Sequence, residues 1–206
     1  MKIKLLLAAA LTLLPGFADT VTLQWDAAPM VDAESGQRGG GGDAVFSGPL
    51  SLPLFDATLG TLTSVSVSVD ATFGLIFEPF SEKLDGALYP MVLPTAASMS
   101  LQMGPQTLVC SAQQNSDLGQ WLAVIYRSPV GTAPSPPLNC SGAFPDDATQ
   151  RTLAGPVQVN ASYSLSAGNI FRPELWPNGT LRLSGNVTYT YQRALAVASR
   201  VTSSED

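Results

Sequence analysis

Between Ser64 and Phe73 the chain alternates without a break. Val65, Val67, Val69, Ala71 and Phe73 fall on one side, and Ser64, Ser66, Ser68, Asp70 and Thr72 on the other. Period two is the strand period, because successive side chains leave opposite faces of a pleated backbone. With one apolar and one polar face, the strand suits an antiparallel sheet that has a core on one side and water on the other. Upstream, Leu50, Leu52, Leu54 and Leu62 occupy even positions, while the valines are odd. This change of phase predicts a bulge or bend near Thr63 that returns both sets to one face. Between the two runs, Asp56 can accept a bond from the backbone two residues on, and Gly60 can take a positive φ. The segment from Phe55 to Gly60 therefore reads as a structured turn.

The same alternation recurs. Ala97, Met99, Leu101 and Met103 alternate with Ser98, Ser100 and Gln102. Val157 to Leu165 and Leu181 to Tyr191 give two long amphipathic strands, predicted to pair with each other across a connection at 168–179. The stretch from Val21 to Trp25 reads as the first strand, and Ala44 to Phe46 and Leu50 to Leu54 as short pieces, with Pro53 marking an edge or bulge. Gln106 to Cys110 is a further short strand, and Trp121 to Tyr126 reads as one buried on both faces. Residues 78–85 read as a charged surface connection. Residues 129–147, rich in Pro, Gly and Ser, read as irregular. No sustained 3.6-residue apolar period and no internal repeat is visible. The predicted fold is all-β, an antiparallel β-sandwich of jelly-roll type.

The N-terminal residues carry an export pattern. Lys2 and Lys4 precede the apolar run from Leu5 to Leu14, which is too short to span a bilayer, and Gly16 and Ala18 are small residues before a cut at Asp19. The expected organisation is a signal peptide over 1–18 and a single β-sandwich domain over 19–206, with a mobile Gly-rich loop at about 33–43. The mature chain would keep eight of the ten Lys and Arg residues against sixteen Asp and Glu. Such a surface repels nucleic acid and anionic lipid. Cys110 and Cys140, the only cysteines, would form a disulfide in an oxidising compartment.

The run from Leu54 to Val65 (LFDATLGTLTSV) resembles the signature of the choice-of-anchor E family, close to F-D-P-x-L-G-T-L followed by a valine/threonine strand. Ala57 stands where a proline is common. The resemblance implies a bacterial secreted or surface β-domain and brings no catalytic residues. Members of that family often end in a sorting signal with a hydrophobic helix. Residues 193–206 lack that pattern, so the expectation is an exported protein, periplasmic or released, with no integral membrane segment after signal cleavage.

There is no histidine, which removes His-based nucleophile systems and histidine metal sites. A Ser81–Lys83 dyad would sit in a polar surface segment. Glu78, Glu82, Asp85 and Glu174 are carboxylates that nothing marks as a glycosidase pair. Asp26, Asp32, Glu34 and Asp43 could collect a hard cation, but their spacing matches no calcium loop. The expectation is a non-enzymatic protein without catalytic residues, metal or cofactor, structural, adhesive or matrix-associated. Its partners would be cell-surface polysaccharide or envelope proteins. The alternative is a carbohydrate-binding module using Phe171, Arg172, Glu174 and Trp176, where aromatic rings lie beside polar groups. Against that alternative stands the reading in which Phe171 and Trp176 tuck under the loop and cap the sandwich.

Overall fold

The computed structural model describes residues 18–32, 42–81, 83–103, 106–123, 131–145, 157–166 and 170–193. The expected signal peptide and most of the Gly-rich loop lie outside them. The described chain forms twelve strands and one short 3₁₀ turn. The strands are β1 (Ala18–Asp26), β2 (Met30–Val31), β3 (Asp43–Leu50), β4 (Gly60–Gly74), β5 (Ile76–Ser81) and β6 (Leu88–Met103). They continue as β7 (Gln106–Leu122), β8 (Gly131–Thr132), β9 (Leu138–Pro145), β10 (Val157–Leu165), β11 (Phe171–Leu175) and β12 (Thr180–Arg193). The result is an antiparallel β-sandwich. One sheet has the order β1-β12-β4-β9, with β2 also on β12; the other has the order β3-β10-β6-β7. A small third sheet, β11-β5-β8, continues from the end of β4.

The eight long strands pair as nested hairpins. The innermost is β6–β7, then come β4–β9, β3–β10 and the outermost, β1–β12. Successive layers of this nest fall alternately in the two sheets.

The alternating sequence directs packing as expected. Val65, Val67, Val69, Ala71 and Phe73 are buried, as are Val157, Val159, Ala161, Tyr163 and Leu165 facing them. Phe73 of the first sheet packs between Phe46 and Tyr163 of the second, with ring centroids 5.8 and 5.3 Å away. At the other end Phe55, from the β3–β4 connection, lies 5.5 Å from Tyr189 and 5.4 Å from Tyr191.

The bulge expected near Thr63 is present. Thr190 pairs with Ser64 and Tyr191 with Leu62, so Thr63 is the extra residue. Its Oγ1 donates to the Thr190 carbonyl at 3.0 Å. The insertion lets Leu62 and Val65 both face the core. The Asp56 turn also forms as expected. Oδ1 accepts from the Thr58 amide at 2.9 Å and from the Thr58 hydroxyl at 2.7 Å, and Gly60 takes a φ of 149° that a side chain would resist.

Several local expectations are corrected. The two long C-terminal strands do not pair with each other: β10 lies between β3 and β6, and β12 between β1 and β4. Each is a central strand whose pairing sites are filled by more distant partners. Residues 131–132 and 138–145 of the supposed irregular stretch are strands. There Leu138 and Cys140 alternate inward, and pairing with Ala71 to Ser64 of β4 overrides the loop-like composition. β7 runs twelve residues past the predicted end at Cys110. Being an edge strand, it half-buries its inner positions and shows little apolar contrast in sequence. Trp121 and Leu122 close β7 with Leu122 exposed, so this part is not buried on both faces; 124–126 lie outside the described residues. Residues 78–81 of the supposed surface connection belong to β5, with Phe80 buried, whereas 83–85 are exposed as expected.

Cys110 and Cys140 form the disulfide, with Cα atoms 5.7 Å apart. It joins edge strands β7 and β9 and so ties the two sheets together along one side. Replacing both cysteines by alanine should lower the unfolding free energy by about 3–4 kcal/mol, from the 30-residue loop it closes. Phe73→Ala should cost about 3–5 kcal/mol, because the cavity opens between the sheets. Urea unfolding of each variant checks both values; unchanged midpoints would contradict them.

Candidate functional site

β11 replaces the predicted aromatic loop and sorts its residues by parity. Phe171, Pro173 and Leu175 point inward, whereas Arg172, Glu174 and Trp176 are turned outward. Phe171 is wholly buried, with its ring edge-on to Trp121 at 6.4 Å. It therefore belongs to the core and leaves the proposed ligand set. Pro173 is accommodated because β11 is an edge strand, which needs no amide on its open side. Trp176 remains 43% exposed beside Ile76, itself 49% exposed, and the Trp176 amide donates to the Ile76 carbonyl at 2.7 Å. Glu174 stands opposite Glu78, and Arg172 opposite Phe80. The structure thus brings three of the four predicted residues into one outward strip: a cation, a carboxylate and an indole.

The other candidate groups are dispersed. Ser81 is buried and its hydroxyl donates to the Lys83 carbonyl, while the Lys83 ammonium lies 5.4 Å from the Tyr89 ring centre. The hydroxyl is thus engaged by backbone. Asp85 accepts from the Tyr89 hydroxyl and the Ala87 amide, and these bonds hold its carboxyl below the usual range. Glu82 lies outside the described residues. In the acidic stretch, Asp32 is buried and accepts the Val45 amide at 3.2 Å. Its own amide donates to the Gly179 carbonyl at 2.9 Å. Asp26 ends β1, Asp43 begins β3, and Glu34 lies outside the described residues. Among the described residues no three Asp, Glu, Cys or His side chains cluster in a way that could hold a metal ion. No helix among them is long and apolar enough to cross a membrane.

The outward sheet faces were not among the predicted sites. On the first sheet, Thr22, Thr188 and Ser66 form one row, and Gln24, Asn186, Ser68 and Ser141 the next. Thr22 and Thr188 share a hydroxyl–hydroxyl bond of 2.8 Å. Apart from Gln24, these residues line a shallow depression of about 460 Å³. On the second sheet Ser98 and Ser162 are bonded at 2.7 Å. Gln113, Asn115 and Ser164 help to line a depression of about 310 Å³. Both hollows offer hydroxyl and amide groups without a charged side chain. The signal for these faces lay in the polar half of each alternating run, which also reads as ordinary wet surface.

No family model matches the chain, and no curated protein matches it. Among solved structures it is similar to the VP2 subviral particle of infectious bursal disease virus. Identity is 11% and the TM-score 0.25, over 86% of this chain and 38% of that one. It is similar in the same way to the Gx strain of that virus, at 11% identity and a TM-score of 0.24, over 87% and 37% of the two chains. The chain thus spans less than two-fifths of the solved chains it matches.

Two buried phenols give the sandwich a pH limit. Tyr163 donates to the Pro134 carbonyl at 2.8 Å, and Tyr189 donates to the Pro53 carbonyl. Burial raises both, Tyr189 to about 12 from the ordinary 10.0. A raised folded value means that the folded state holds the proton more tightly. Their contribution is therefore complete below pH 10 and is lost as pH rises from there, that of Tyr189 through about 12 and that of Tyr163 higher still. Alkaline titration should show phenolate absorbance from these two residues appearing together with loss of β-structure. In Tyr163→Phe/Tyr189→Phe the stability should fall less steeply above pH 10. An unchanged slope would contradict the assignment.

Proposed function

We propose that the chain is an exported, non-catalytic β-sandwich with a structural or adhesive role in the cell envelope or an extracellular matrix. The observation that carries this reading is the chemistry of its two broad faces. Both present rows of Ser, Thr, Asn and Gln whose hollows contain no charged side chain. A face of that kind is well hydrated and suits contact with neutral, hydroxyl-rich matter such as surface polysaccharide, or with envelope proteins. Nested hairpins alternating between two sheets support the jelly-roll form of the sandwich. The Asp56–Gly60 turn and its following valine strand support kinship with the choice-of-anchor E domains. Residues 1–18, together with the Cys110–Cys140 bridge, support export to an oxidising, extracytoplasmic compartment.

Expression in a bacterial host with the native N-terminus tests the location. The expected product is extracytoplasmic, begins at Asp19 and has no free thiol. A cytoplasmic product that keeps residues 1–18 would refute export.

A second reading, carbohydrate binding, is favoured by one observation, the exposed Trp176 ring in line with Glu174 and Arg172. A stacked sugar ring would contact the indole while the charged groups take its hydroxyls. Polysaccharide pull-down should then lose about tenfold or more in affinity with Trp176→Ala. Equal binding by wild type and variant would remove Trp176 from the site. Binding by neither would remove the sugar reading for the glycans tested.

A further inference from the structure

Exposure changes along the outward strip of β11. At one end Arg172 faces Phe80, which is buried. At the other end Trp176 lies beside Ile76, and both are open to solvent. The accessible apolar surface is therefore confined to the Trp176 end. Between the two ends Glu174 stands directly opposite Glu78, each half-buried.

The backbone bonds give the spacing. The Trp176 amide donates to the Ile76 carbonyl, so these two residues form a hydrogen-bonded pair, and by alternation so do Glu174 and Glu78. Pro173 and Pro79, which have no amide to give, fall at a non-bonded pair. The two glutamates thus rise side by side with Cα atoms about 5.5 Å apart, on the same face as the indole and one strand repeat, about 7 Å, along from it. Like charges directly opposite each other destabilise a sheet. Arg172, the next residue along this face, can answer only one of the two, so the strip keeps a surplus carboxylate. The whole chain has the same sign, with sixteen Asp and Glu against ten Lys and Arg.

On the reading in which Trp176 binds sugar, we infer that the ligand is an amino sugar within a glycan. Its ring stacks on Trp176 and Ile76, and its protonated amine lies over the Glu174–Glu78 pair. An ammonium group answers both features of the strip, because it pairs with a carboxylate and is also drawn to the face of a tryptophan ring. A neutral sugar would leave the surplus carboxylate unanswered. Arg172 would suit an acidic sugar, but the two carboxylates stand between it and the indole.

Titration calorimetry with two oligosaccharides of the same β-1,4-linked backbone tests this, one of glucosamine and one of its N-acetylated form, at a mildly acidic pH that keeps the free amines protonated. The glucosamine oligomer should bind about tenfold more tightly, and added salt should narrow the difference. Glu174→Gln should weaken binding of the glucosamine oligomer about fivefold and leave the acetylated one unchanged. Glu78→Gln should act in the same direction, which decides the matter if one variant does not fold. Trp176→Ala should weaken both oligomers. Equal binding of the two oligomers by wild type, with loss of both in Trp176→Ala, would overturn the amino-sugar assignment and leave the sugar site standing. Folded glutamine variants that bind the glucosamine oligomer as tightly as wild type would also overturn it. No binding of either oligomer would overturn both.

Discussion

The pairing of β4 with β12 organises the molecule. It runs from Gly60–Arg193 to Gly74–Thr180 and places two fully alternating strands side by side at the centre of one sheet. Each contributes an apolar row to the core and a hydroxyl row to the outside. Because side-chain direction has period two, a one-residue slip between them would turn one of the two apolar rows out to solvent. The bulge at Thr63 is what allows the pairing to continue past Ser64 with Leu62 still inward. β1 and β9 then add on either side, and the apolar row meets the second sheet through Phe73, Phe46 and Tyr163.

Much of this was legible in the residues. The alternation at 64–73, 97–103, 157–165 and 181–191 specified strands, faces and core, and even the position of the bulge. Partner choice was not legible. β10 and β12 look like natural neighbours because both are long and adjacent in sequence. Yet the alternation says only which way a side chain points, and nothing about which strand lies alongside. Edge strands were hardest to read. β7 beyond Cys110 and β9 around Cys140 bury few large side chains, so their sequences carry Ser, Gln, Gly and Asn and look like loops.

The candidate site was legible in part for the same reason. Arg172, Glu174 and Trp176 were grouped by their proximity in sequence, and their common parity puts them on one strip. Phe171 shared that proximity but has the opposite parity, and a strand sends it to the core. Treating the segment as a loop hid this distinction. The neutral depressions on the broad faces depend on residues from three or four strands, such as Thr22, Ser68, Ser141 and Asn186. No local pattern could collect them before the strand order was known.

The nesting of the hairpins ranks the strand pairs by the entropy needed to close them. Met99 and Cys110, in the innermost pair, are 11 residues apart, whereas Thr22 and Thr188 in the outermost are 166 apart. Closure cost grows with the logarithm of that separation, and formation of an inner pair shortens the effective loop of the next. The least costly order of assembly therefore runs from the middle of the chain outward, with β1 and β12 joining last. A chain that emerges from its N-terminus presents β1 first and must leave it without its partner until residue 180 and beyond have followed. Over that interval the sequence of β1 has to be compatible with water. Its two aspartates and its run of threonine and glutamine serve the nascent chain as much as the finished sheet.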